Sequence, residues 1–309
     1  MKAQTALVIR NPTAGRSRSR ERHFNQAMKV ITEHGWTIEI VNTEYEGHAS
    51  LLAAAAVESG KNVVIAAGGD GTVNEVIQGI AHTKTALGVL PLGTVNVWSR
   101  EAGYKKDPAA AAEQLVAGHR VTLDLGRVGS RLFLLMAGVG LDAEITAAIG
   151  TANARKQKLG VLPYILRAVA VVPRYRGASM EIEMDGRTDT HDALMVLVSN
   201  TRLYGGVSRP TPNAIANDGM LDVRVFRGNT PTHSVRHIAR FLLERRGPTD
   251  TGEIVRVRKI IVNATPPLAV QVDGDPVGTT PVEIVVDRHA LHAIVPTNYD
   301  TSLISPHHE

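Results

Sequence analysis

A chain of 309 residues, 43% apolar and 21% charged, has the length and composition for two globular domains with real cores, which excludes a disordered or fibrous chain. It has no cysteine, so disulfides, thiolate metal sites and a cysteine nucleophile are all excluded. A formal charge of +4 suits anionic partners, but 4% aromatic content offers little base stacking and argues against nucleic acid.

Ala6 to Ile9 forms a short apolar strand that runs into the loop Asn11-Pro12-Thr13-Ala14-Gly15. Arg16, Arg18, Arg20 and Arg22 follow, so the loop reads either as a phosphate-facing turn or as the entry to a solvated basic helix. Phe24, Met28 and Ile31 share one face of that helix, and Trp36 to Val41 alternates as the next strand, ending before Thr43. Gly47-His48 opens an alanine-rich helix that stops at Gly60.

The run from Val63 to Ala67 is continuous, apolar and β-branched, as expected of a strand covered on both faces. It ends in Gly68-Gly69-Asp70-Gly71-Thr72-Val73-Asn74, and Val73, Val76, Ile77 and Ile80 then recur at helical spacing. Thr72 and Glu75 predict a capping box where that helix begins. The glycines permit close backbone approach, and the amides at a helix start suit a phosphate. Asp70 would repel phosphate directly, so it is expected to hold a metal through water, orient an amide, touch a hydroxyl, or simply cap the turn.

Leu87 to Leu90 repeats the theme, entering Pro91-Leu92-Gly93-Thr94-Val95-Asn96, and Asp107-Pro108 starts a helix closing at Gly118. Four strand ends, at Asn11, Thr43, Gly68 and Gly93, should therefore share one crevice at the carboxyl edge of a parallel sheet. Beyond Asp124 the pattern becomes strands and hairpins: Leu123 to Val128, Leu132 to Met136, Met180 to Met184, Ala193 to Ser199, Ile254 to Val262, Ala269 to Val272, Val282 to Val286 and His289 to Val295. Helices are expected near Asp142 to Ile149 and over Val235 to Arg246.

Residues 155 to 176 carry six basic residues and no acid among apolar ones, as a segment at an anionic membrane surface would, or a core helix with solvated ends. Val161 to Val172 contains Arg167 and is shorter than the roughly 20 residues needed to span a bilayer. Any membrane contact is thus expected to be peripheral. No secretory leader is evident, which points to the cytoplasm.

Five stretches in order carry a resemblance: Asn11 to Gly15, Gly68 to Asn74, Pro91 to Asn96, Asn217-Asp218-Gly219-Met220-Leu221-Asp222, and Val270-Gln271-Val272-Asp273-Gly274-Asp275. The chain resembles the diacylglycerol kinase catalytic family, in its bacterial lipid kinase branch related to sphingosine and ceramide kinases. That resemblance implies an α/β nucleotide-binding domain over 1–124 and a β-sandwich-like lipid-substrate domain over 125–309, the last residues possibly rejoining the first domain.

ATP and Mg2+ are the implied cofactors. Asn11, Pro12, Thr13, Ala14, Gly15, Thr43, Gly68, Gly69, Asp70, Gly71, Thr72, Val73, Asn74 and Thr94 would contact the nucleotide, and Asp275 would be the base that deprotonates the acceptor hydroxyl. Asp70 would organise nucleotide, metal or acceptor. The Asp218 carboxylate, with the carbonyls of Ile215 and Met220, would make a structural or regulatory magnesium site. Two positions depart from the family: Asp275 replaces a more usual Glu, and Val97 stands where many members have Asp. Independently of the resemblance, Asp273 and Asp275 are the late acids best placed for proton removal. The expected reaction is phosphoryl transfer from ATP to a lipid hydroxyl, in a monomer or a homodimer. An NAD or other small-molecule kinase is the enzymatic alternative, and a non-catalytic nucleotide- or lipid-binding regulator the other.

Overall fold

The computed structural model describes residues 4–13, 18–150, 175–206, 208–230, 232–233 and 253–306. The expected helix over Val235 to Arg246 and the basic apolar segment up to residue 174 lie outside the described residues. The chain divides into two compact units, one of Met1–Asp124 with Arg288–Glu309 and the other of Leu125–Asp287.

The first unit alternates β1 (Thr5–Arg10), α1 (Arg18–Glu33), β2 (Thr37–Asn42), α2 (His48–Glu58), β3 (Val63–Gly68), α3 (Asp70–Ile80) and β4 (Ala86–Pro91), followed by α4 (Val97–Glu101) and α5 (Pro108–Ala117). Its strands pair in parallel in the order β4-β3-β1-β2. β15 (Val282–Val295), which carries the chain back from the second unit, adds His292 and Ala293 beside Ala86 and Leu87 of β4. Every residue of β3 and β4 is buried, as continuous apolar runs require. β2 is the exposed edge. Asp107 caps α5, accepting from the Ala110 amide at 3.0 Å, with Pro108 in the first turn.

The predicted capping box does not form. α3 begins at Asp70 with Gly69 as its N-cap, three residues before the expected cap at Thr72, so Thr72 is already inside the helix and buried. Glu75 is drawn instead to α2, where it accepts from the Ala49 amide at 3.1 Å.

The second unit is antiparallel. After β5 (His119–Val128), which enters it from the first unit, come β6 (Arg131–Phe133), β7 (Met136–Gly140), α6 (Leu141–Gly150), β8 (Ala178–Met184), β9 (Arg187–Ser199), β10 (Leu221–Arg227), β11 (Ile254–Val257), β12 (Lys259–Thr265), β13 (Ala269–Val272) and β14 (Asp275–Thr279). Strand order is β14-β13-β7-β9-β8-β12-β15, with β10 bridging β9 and β11. Alternating residues such as Met180, Ile182, Val196, Val198, Val223, Ile260, Val262 and Val272 fill its core. Asp185-Gly186 and Asp273-Gly274 each turn with both residues at positive φ, the backbone that a tight two-residue hairpin requires.

Two predicted strands are broken by acids distant in sequence. The run Leu132 to Met136 divides into β6 and β7 because the amides of Leu134, Leu135 and Met136 turn to the Asp273 carboxylate. The run Ile254 to Val262 divides at Arg258, whose amide, with that of Lys259, is bound by Asp185.

Asp222 of β10 is buried, and desolvation raises its pKa to about 6 although the Arg202 charge opposes the shift. The folded state therefore binds the Asp222 proton more tightly than the unfolded chain, and this contribution to stability is present below about pH 4 and lost as the pH rises through 6. Between pH 4.5 and 7.5, Asp222→Asn should remove about 2 kcal/mol of that pH dependence, read as denaturant midpoints compared at the two pH values.

Candidate functional site

In the first unit the expected strand ends meet. The Asn11 amide donates to the Ala67 carbonyl at 3.1 Å, the Thr43 amide to Arg10 at 2.8 Å, and the amides of Leu92 and Gly93 both to the Gly68 carbonyl at 3.0 Å. Asn11 folds its own loop, its Oδ1 accepting from the Thr13 amide at 2.9 Å and hydroxyl at 2.7 Å. Ala14, Gly15 and Arg16, and the side chains of Arg18 and Arg20, lie outside the described residues.

Two glycines here are fixed by space. A Cβ on Gly93 would stand 2.5 Å from Gly69 Cα, and one on Gly68 would stand 2.7 Å from Thr72 Cβ. Around Gly71 there is open space, and the first-turn amides of Gly71 and Thr72 have no acceptor within the helix. Exposed Gly71 and these amides form a cradle that fits a phosphate. Val73 and Asn74 point inward, 5% and 2% exposed, so their side chains support the turn. Thr94 is exposed and Thr43 half-buried, both beyond strand ends.

Asp70 faces α4. Its Oδ1 accepts from the Trp98 amide at 3.3 Å, and the amides of Val97, Asn96 and Asp70 itself also help hold the carboxylate. Burial nevertheless outweighs those amides and holds its pKa above the usual carboxylate range. Asn96 initiates α4 from the left-handed region at φ 51, and its Nδ2 donates to Gly93 at 3.0 Å. Val97 is 7% exposed and serves Asp70 through its backbone, so no second acid stands here.

In the second unit the two late acids separate by role. Asp273, at φ 48, accepts from Leu134, Leu135 and Met136 amides at 2.8, 2.9 and 2.9 Å, so its carboxylate is committed to the backbone. Asp275 opens β14 with a side chain 50% exposed and accepts from Arg131 Nη2 at 2.7 Å. Arg131 was not legible as its partner, lying 144 residues away.

The expected magnesium site is differently made. Asp218 Oδ1 accepts from the Met220 amide at 3.0 Å, and the buried carboxylate pairs with Arg256. The guanidinium supplies the positive charge that a cation would, and a metal bound to this carboxylate would have to displace it. Ile215 is half-buried in the same loop. As arranged, the carboxylate is already paired with Arg256, and no step is derived through a metal here. Magnesium without nucleotide should therefore leave the thermal midpoint of the wild type unchanged, whereas Arg256→Ala should destabilise by about 1–3 kcal/mol and gain a magnesium-dependent rise.

Comparison with known proteins follows this division. Residues 5–128 match the diacylglycerol kinase catalytic domain, and residues 136–295 match the YegS C-terminal NAD kinase beta sandwich-like domain. A diacylglycerol kinase of Bacillus subtilis (strain 168) is 30% identical over 295 residues, covering 94% of this chain and 96% of that protein. Another, of Staphylococcus aureus (strain MRSA252), is 28% identical over 289 residues, covering 92% and 90%. A solved diacylglycerol kinase structure from Bacillus anthracis str. Sterne shares the fold at a TM-score of 0.77 and 20% identity, over 96% of this chain and 98% of its own. With both domain families matched in order and a relative aligned along nearly its whole length, the chain belongs to the bacterial diacylglycerol kinase family of lipid kinases.

Proposed function

We propose that this kinase transfers the γ-phosphoryl group of ATP, bound as its magnesium complex, to the hydroxyl of a diacylglycerol-like lipid. The observation that carries the reading is the cradle at Gly68 to Thr72, where glycine backbone and open helix amides offer phosphate ligands without side-chain bulk. Phosphoryl transfer asks a protein mainly for positioning and charge neutralisation, and magnesium arriving with the nucleotide supplies part of the latter. The remaining need is proton removal from the acceptor alcohol. Asp275 is the acid suited to it, since Asp273 is spent on three amides while Asp275 is half-exposed. Asp70, bound to the start of α4, orients the loop after β4 against the nucleotide turn.

The lipid acceptor is supported by the names of the relatives and by the basic apolar segment 155–176 in the sequence, which suits reversible docking at an anionic membrane face. Among the described residues no helix is long and apolar enough to cross a membrane. A soluble acceptor such as NAD is the second reading, favoured by the likeness of residues 136–295 to an NAD kinase sandwich. The test is transfer from γ-labelled ATP to diacylglycerol, monoacylglycerol, phosphatidylglycerol, ceramide and sphingosine in mixed micelles, with NAD as the soluble arm. Label in a lipid supports the proposal and identifies the acceptor; label on NAD alone overturns it.

A further inference from the structure

Asp142, the second residue of α6, is 3% exposed, and its carboxylate is held between two donors. Oδ1 accepts from the Tyr204 hydroxyl, and Oδ2 from Gln271 Nε2 at 2.6 Å. Gln271, also 3% exposed, uses its other atom: Oε1 accepts from the Gly274 amide at 2.7 Å. Room for this arrangement is kept by Gly138, where a Cβ would stand 2.9 Å from Gln271 Nε2 and collide with the Asp142 carboxylate.

An ionised carboxylate accepts hydrogen bonds and donates none. Gln271 presents its amino group to Asp142, as an ionised carboxylate would require, and this leaves its oxygen for the turn. Gly274 sits at φ 94 immediately before Asp275, and the other side of the same turn is tied down by Asp273 and its three amides. The relay thus runs from α6 through β13 to the residue that launches Asp275. A carboxylate needed only for packing would not have to end on that amide.

We infer that Asp142 is a positioning residue for Asp275: by fixing which way the Gln271 amide faces, it fixes the Gly274 turn and the direction from which Asp275 meets the acceptor hydroxyl. The inference rests on the reading of Asp275 as the base. Asp142→Asn offers Gln271 an amide that also donates, so the Gln271 orientation is no longer imposed. Gln271→Met keeps the side-chain length and removes the acceptor for Gly274.

The experiment compares both variants and their combination with the full-length wild type, reading amide exchange at Gly274 by NMR beside kcat and KM with magnesium ATP and the lipid acceptor. Expected are about tenfold faster exchange at Gly274, a kcat lowered about 10- to 100-fold with KM little changed, and a double variant no worse than the worse single one. Gln271→Met carries the test alone if Asp142→Asn does not fold. Unchanged Gly274 exchange, faster exchange with a wild-type kcat, or losses that multiply in the double variant would overturn the inference. Failure of the base assignment would read differently, as a wild-type rate in Asp275→Asn whatever happens at Gly274.

Discussion

Asp275→Asn is expected to lower kcat by about 10²- to 10⁴-fold, with the unfolding midpoint and ATP affinity close to wild type. The reasoning starts from exposure. The Asp275 side chain is 50% exposed and pairs with the Arg131 guanidinium, itself 33% exposed. Surface pairs of this kind contribute little to stability, on the order of 0–1 kcal/mol, so removing the charge should leave the fold intact. Asparagine keeps the shape and an oxygen for Arg131 but cannot take a proton from an alcohol. Nearly all of the effect should therefore fall on the chemical step, with KM nearly constant. Steady-state kinetics with the acceptor identified by the micelle assay, beside a urea melt, checks both halves.

The second large effect belongs to the acid two residues earlier and is of the opposite kind. Asp273→Ala is expected to cost about 3–5 kcal/mol of stability, because the carboxylate binds three consecutive amides that would be left without their acceptor. Those amides are the reason β6 and β7 are separate strands, so the loss would loosen the join between them. Alanine would also sit at φ 48, which adds on the order of 1–2 kcal/mol. Asp273→Asn separates the two causes, since asparagine tolerates that backbone and keeps one acceptor oxygen, and it should lose clearly less. Urea unfolding of the three proteins, with equal slopes, measures this. A stable Asp273→Ala protein would contradict the clamp.

The contrast between these neighbours shows what could be read from the chain. β1, β3 and β4 were legible because a strand buried on both faces needs an uninterrupted apolar run, and α5 because Asp107, Pro108 and Gly118 mark its ends locally. The turns at Asp185-Gly186 and Asp273-Gly274 follow the same kind of local rule, since each pair adopts positive φ. Interactions between distant residues were not legible. Asp273 breaks a strand some 137 residues earlier, Asp185 breaks one 73 residues later, and Glu75 leaves the predicted cap for an amide of α2. α4 went unread because it is five residues long and starts from a left-handed Asn96, while β10 and β14 were left outside the predicted strands. At the site, glycine spacing marked where the strand ends meet. It could not show that Asp70 turns toward α4, that Arg131 pairs with Asp275, or that Arg256 meets Asp218.

The most direct test of a lipid kinase is the chemical identity of its product. Purified protein, magnesium ATP and diacylglycerol in mixed micelles should give, by 31P NMR of the organic extract, a new phosphomonoester in equal amount to the ADP formed, and Asp275→Asn should give almost none. ADP released without a lipid phosphomonoester, or a phosphomonoester formed at the wild-type rate by the Asp275 variant, would contradict the central claim.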